Sequence, residues 1–219
     1  CRTGFFARYG YLEMLKTLLD RPTAKPASKT SSQDDIPECS SRDADAAASN
    51  GYLEVVHELR ARGIHCTSGG ASLAAENGHL DVLRDLHAHD IRITLRYAAD
   101  WVAANGHLDV LQELLAHGIC SSSFGADKAA SRGHLEVVRF LQAHGIRCTP
   151  LGAESAAEHG RLEVVRFLRE HDIHCTSEGA ERAARNGHLH VLQELLAQSI
   201  RCTPHGANLA AEHGRLEVV

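Results

Sequence analysis

The chain has 219 residues, 43% of them hydrophobic and 23% charged, a composition that excludes wholesale disorder. It has no apolar run long enough to span a membrane. Its 23 basic and 28 acidic residues give a formal net charge of −5, so no broad basic field is available to hold nucleic-acid phosphates.

Taken in order from the N-terminus, one phrase of the form G-H-L-E-V-V returns at Gly10, Gly51, Gly78, Gly106, Gly133, Gly160, Gly187 and Gly214. The spacings are 41, 27, 28, 27, 27, 27 and 27 residues. A fixed period of this size is the signature of a repeat architecture. The 14-residue excess in the first interval falls in a Pro/Ser/Lys-rich stretch from Arg21 to about Ile36, which reads as a loop insert. The chain opens at Cys1 and closes at Val219, four residues after Arg215. We read it as a fragment truncated at both ends.

Each period reads as two helices. After each glycine the apolar residues recur with helical spacing, as at Leu80, Val82, Leu83 and Leu86 or at Leu162, Val164, Val165, Phe167 and Leu168. Glu136 and Arg139, and Glu163 and Arg166, fall three apart on the opposite, solvated face. Before each glycine lies a short alanine-rich helix, expected over stretches such as Gly70 to Asn77 and Gly152 to His159. The glycine then ends it in the left-handed conformation. Acidic residues near the expected start of this helix, Asp100, Asp127, Glu154 and Glu181, suit its positive end. One pair cannot bury its apolar stripe alone, so pairs must stack on their neighbours.

The pattern A-A-x-x-G-H-L-E-V-V followed by L-x-x-H-G resembles the helix-turn-helix part of the ankyrin repeat. Ala74-Ala75-Glu76-Asn77-Gly78-His79-Leu80 and Ala156-Ala157-Glu158-His159-Gly160-Arg161-Leu162 carry it best. The resemblance implies an all-α, right-handed solenoid occupying residues 1–219 as a single domain, apart from the insert at about 21–36. It also implies protein binding as a scaffold or adaptor, or as the regulatory or substrate-recruiting arm of a larger multidomain protein. The usual ankyrin period is about 33 residues. The segment Ile146 to Leu151 is too short for the projecting hairpin, which should be reduced or absent, as in the short ankyrin-like arrays of protists and giant viruses.

Five of the seven cysteines, Cys39, Cys66, Cys148, Cys175 and Cys202, stand 12 residues before a repeat glycine. Stacked equivalents lie about 10 Å apart, beyond the roughly 7 Å a disulfide spans. Free thiols are therefore expected, and with them a reducing, intracellular setting. The pairs His65-Cys66 and His174-Cys175, with His171 nearby, fall short of four converging ligands. No C-x-x-C and no H-E-x-x-H occurs. The position after the repeat glycine is His79, His107, His134 or His188 in some units and Tyr11, Tyr52, Arg161 or Arg215 in others. A catalytic group would not be exchanged so freely, so no enzyme activity, cofactor, metal or small-molecule substrate is expected.

Two positions vary between fixed alanines. Five before the glycine the chain has Leu73, Trp101, Lys128 and Arg182, and nine before it has Tyr97 and Phe124. Positions four apart share a helix face. These six residues are the expected surface for a protein partner, with Tyr97, Trp101 and Phe124 clustered at its middle. The alternative is that the aromatics plug gaps around the irregular 28-residue repeat.

Overall fold

A computed structural model describes residues 2–20, 39–95 and 97–215, and the expected insert lies outside them. Fifteen α-helices and no strand occur among the described residues. The chain divides into two compact units, Cys1–Arg96 and Tyr97–Val219. The first holds α1 (Arg2–Arg8), α2 (Leu12–Leu19), α3 (Ser41–Ser49), α4 (Leu53–Ala61), α5 (Ser68–Glu76) and α6 (Leu80–Ala88). The second holds α7 (Ala98–Asn105), α8 (Leu108–Ala116), α9 (Ser123–Arg132), α10 (Leu135–Ala143), α11 (Pro150–Glu158), α12 (Leu162–Glu170), α13 (Ser177–Asn186), α14 (Leu189–Ala197) and α15 (Pro204–Glu212).

In the second unit the alanine-rich first helices α7, α9, α11, α13 and α15 pack side by side, and so do the second helices α8, α10, α12 and α14. The buried residues show why. Small side chains such as Ala126, Ala129 and Ala130 fill one layer, and Val110, Leu111, Leu114, Val137, Val138 and Leu141 fill the next. Alanine lets the first helices approach closely, and the leucine and valine stripe of the second helices supplies most of the apolar area removed from water. The first unit repeats the plan, with α3 against α5 and α4 against α6.

Helices of 7 to 10 residues are too short to persist alone, so their ends matter. Every repeat glycine from Gly10 to Gly214 has a positive φ, as expected. The expected helix starts are corrected. α11 begins at Pro150 and α13 at Ser177, two residues ahead of the glycine, because Thr149 and Thr176 occupy the extended N-cap position. Proline at the first helical position suits this start, since its missing N–H would have no partner there. Phe124 and Leu151 therefore belong to the first turns of α9 and α11, while Tyr97 is the N-cap of α7. The segment from α10 to α11 is the six residues His144 to Thr149, with no hairpin in it.

Candidate functional site

The outward face of the first helices follows from what they bury. α7 buries Ala98, Ala99, Val102, Ala103 and Ala104, which leaves Trp101 pointing out at 42% exposure. α9 buries Gly125, Ala126, Ala129 and Ala130, which leaves Phe124 48% exposed and Lys128 exposed beside it. Tyr97 is 66% exposed, one helical turn before Trp101. The structure brings Trp101 and Phe124 into edge-to-face contact, with ring centroids 6.5 Å apart at 83°. Lys128 Nζ stands 5.4 Å from the Phe124 ring centroid, within cation–π reach. Leu73 is 43% exposed on α5 of the first unit. Arg182 is different. Its guanidinium donates to Glu178 Oε1 at 2.6 Å and to Glu158 Oε2 at 3.2 Å, while Arg185 holds the other oxygen of Glu158. Its charge is engaged inside the fold.

Asp100, Asp127, Glu154 and Glu181, expected to suit helix dipoles, have another role, which Asp45 shares. Asp45 accepts from the Thr67 N–H and hydroxyl, both at 2.7 Å. Asp127 does the same for Thr149, again at 2.7 Å. Glu154 accepts from the Thr176 hydroxyl at 2.6 Å, and Glu181 from Thr203. Asp100 accepts from Ser121 Oγ at 2.8 Å, Ser122 N at 2.6 Å and Ser122 Oγ at 3.0 Å. α3, α7, α9, α11 and α13 thus each grip the residue that starts the next first helix, 22 residues on. Such charge-assisted bonds are among the stronger ones. They hold in register the turns that carry Phe124 and Leu151. Burial pushes the Asp127 carboxyl above its ordinary range, with the Thr149 bonds pulling the other way. At the corresponding place α5 has Ser72, whose hydroxyl turns back to the Ser68 carbonyl at 2.9 Å. Sequence reasoning missed this ladder, although an acid followed 22 residues later by threonine is its visible trace.

The six described cysteines are free. Cys39, Cys66, Cys148 and Cys175 are buried, Cys202 is half-buried and Cys120 is exposed. Burial pushes Cys66, Cys148 and Cys175 up to about 12, so these thiols stay protonated and unreactive at neutral pH. His65 and His174 are exposed while the adjacent Cys66 and Cys175 are buried, so neighbours in sequence do not converge as ligands. A narrow apolar crevice between α8 and α10, with no room for a water molecule, is lined mainly by Leu111, Leu115, Ile119, Phe140 and Ile146.

The helix pairs, their glycine ends and the alanine layer agree with a family model. Residues 71–149 match ankyrin repeats, in three copies. Among solved structures, the human ASB11 ankyrin repeat domain is similar at 15% identity and a TM-score of 0.39, covering 97% of each chain. The pentatricopeptide repeat protein PPR10 in complex with an 18-nt psaJ RNA element is similar at 15% identity and a TM-score of 0.47. PPR10 from maize is similar at 13% identity and a TM-score of 0.44. These two matches cover 99% of this chain, but only 37% and 38% of the PPR10 chains. No curated protein matches the sequence. No helix among the described residues is long and apolar enough to cross a membrane.

His79 and His134, each the residue after a repeat glycine, serve as braces. A Cβ on Gly106 would lie 2.5 Å from Nδ1 of His134, and one on Gly51 would lie 2.5 Å from Nδ1 of His79. Beyond residue 149 the same slot holds Arg161 under Gly133 and His188 under Gly160. His134 is held below the ordinary histidine value, first by burial and then by Arg132, Arg161 and His107, against the opposing bond of the Ala104 carbonyl. Burial also lowers His188, opposed by the Glu158 carbonyl and aided by His159, Arg161 and Arg215. A histidine whose folded pKa is depressed contributes stability that is present above its unfolded value, about 6.5, and lost as pH falls through the folded one. The urea midpoint at pH 5.5 is therefore expected below that at pH 7.5. Equal midpoints, or a higher one in acid, would show that His134 and His188 carry no such penalty.

Proposed function

We propose that this chain is a protein-binding scaffold or adaptor whose partner docks on the outward face of the first helices of the second unit, at Tyr97, Trp101, Phe124 and Lys128. Ankyrin repeats are in general protein–protein interaction modules, and residues 71–149, which resemble them, contain all four of these positions. The observation that carries the reading is the exposed Trp101–Phe124 pair. Large aromatics left in solvent on a repeat surface have the character of binding hot spots, which a partner would bury. The surrounding alanines are buried already, so the pair is not needed to close the core.

The test is Trp101→Ala. Proteins retained by the immobilised wild-type and variant chains are compared quantitatively, beside circular dichroism and urea unfolding of both. A specific partner should bind about thirtyfold more weakly to the variant, the scale of a hot-spot truncation, with helical content unchanged. If the variant unfolds at much lower urea, Trp101 is a packing residue. If it keeps every partner, the face is a passive spacer.

A further inference from the structure

We propose that the face formed by α7, α9 and α11 takes an extended acidic segment of a partner protein, with apolar side chains about every third residue and carboxylates between them. This rests on the protein-binding reading above and adds the chemistry of the ligand.

Two observations point to it. The first is the local charge. Although the whole chain is net −5, the carboxylates of this face are already engaged. Asp100 and Asp127 are turned onto the N-caps of α9 and α11. Glu158 and Glu178 are held by Arg182 and Arg185. The cations are not engaged in the same way. Lys128 forms no ion pair among the described residues and lies over the Phe124 ring. Arg132, one turn further along α9, donates to neutral oxygens only, the Ala104 carbonyl at 3.1 Å and Asn105 Oδ1 at 2.5 Å. The patch therefore presents two positive charges with no carboxylate of its own paired to them, and electrostatic complementarity calls for an acidic partner.

The second is the spacing. Tyr97, Phe124 and Leu151 form one row across successive first helices, and each is at least 48% exposed. Packed helices lie about 8–10 Å apart. A polyproline-type strand rises about 3.1 Å per residue and returns to the same side every three residues, about 9 Å. A segment running across the helices can thus seat one apolar side chain per repeat, while the side chains between reach Lys128 and Arg132. Aromatic-lined grooves recognise segments of this conformation.

The sole tryptophan of the chain, Trp101, lies in the patch and reports on it. The probe is a twelve-residue peptide of four Leu-Glu-Asp triplets, titrated against Trp101 emission and by fluorescence anisotropy. Two others are run beside it, a Leu-Lys-Lys counterpart and a twelve-nucleotide oligo(dT). The acidic peptide should shift the Trp101 emission saturably and bind at least tenfold more tightly than the lysine counterpart. Lys128→Gln should weaken it by about tenfold, and Lys128→Arg should restore it. Equal or tighter binding of the lysine peptide overturns the proposal, and so does loss of the effect in Lys128→Arg. Tighter binding of oligo(dT) overturns it in favour of a nucleic-acid surface. If the acidic peptide is silent but members of a charge-balanced displayed peptide library move the Trp101 signal, the acidic chemistry is wrong and the binding face survives. If nothing in the library moves it, the binding reading falls too.

Discussion

Gly125→Ala is expected to destabilise the protein by about 3 kcal/mol, the upper end for overpacking a well-filled contact. Gly125 is buried in the first turn of α9, where α9 meets α7. A Cβ there would lie 2.6 Å from Asp100 Oδ1 and 2.8 Å from Asp100 Cα. The second atom is backbone and cannot rotate away. The only relief is to push α9 off α7, which would also lengthen the bonds from Asp100 to Ser121 and Ser122. Gly179 holds the same place in α13, but its Cβ would meet Glu154 Cγ at 3.2 Å and Glu154 Cα at 3.3 Å. That contact needs a shift of a few tenths of an ångström, so Gly179→Ala should cost clearly less. Urea unfolding followed by Trp101 emission and circular dichroism measures both. Equal midpoints for the two variants would mean that close approach of α7 and α9 is not what Gly125 provides.

Asp100→Ala is expected to cost about 2 kcal/mol, the scale of losing charge-assisted bonds and leaving the buried Ser121 hydroxyl without its acceptor. Asp100 is 3% exposed and collects three donors, the Ser122 N–H and the hydroxyls of Ser121 and Ser122. Removing it strands the Ser122 amide at the start of α9, where an unfilled N–H is costly. The Ser122 and Ser123 amides should then exchange hydrogen faster than in the wild type, ahead of those in α13. Asp100→Asn keeps one acceptor oxygen and the side-chain shape, so it should recover part of the loss. If Asp100→Ala leaves the urea midpoint within experimental error, the carboxylate ladder adds nothing to the joining of α7 and α9.

Much of this protein is legible in one dimension because its main constraints are local. The 27-residue return of glycine, the alanine pairs before it and the leucine and valine stripe after it name the two helices, the turn between them and the outward positions without reference to any other part of the chain. A helix face is set by spacing along the same segment, so the identity of their neighbours alone places Trp101, Phe124 and Lys128 on the outward side.

What the tertiary structure alone decided are relations between repeats. Asp127 looks like a residue placed for its own helix until stacking carries it to the N-cap 22 residues on. Arg182 and Lys128 occupy equivalent positions and read alike. Yet Arg182 finds Glu158 from the preceding first helix, whereas Lys128 forms no ion pair among the described residues and rests on Phe124. His134 reads as an ordinary turn residue until it is packed beneath Gly106, among Arg132, Arg161 and His107. The local pattern determines which way a side chain leaves its helix. The offset and separation of stacked helices determine which atom it meets there, and so whether its charge is engaged within the fold or left for a partner.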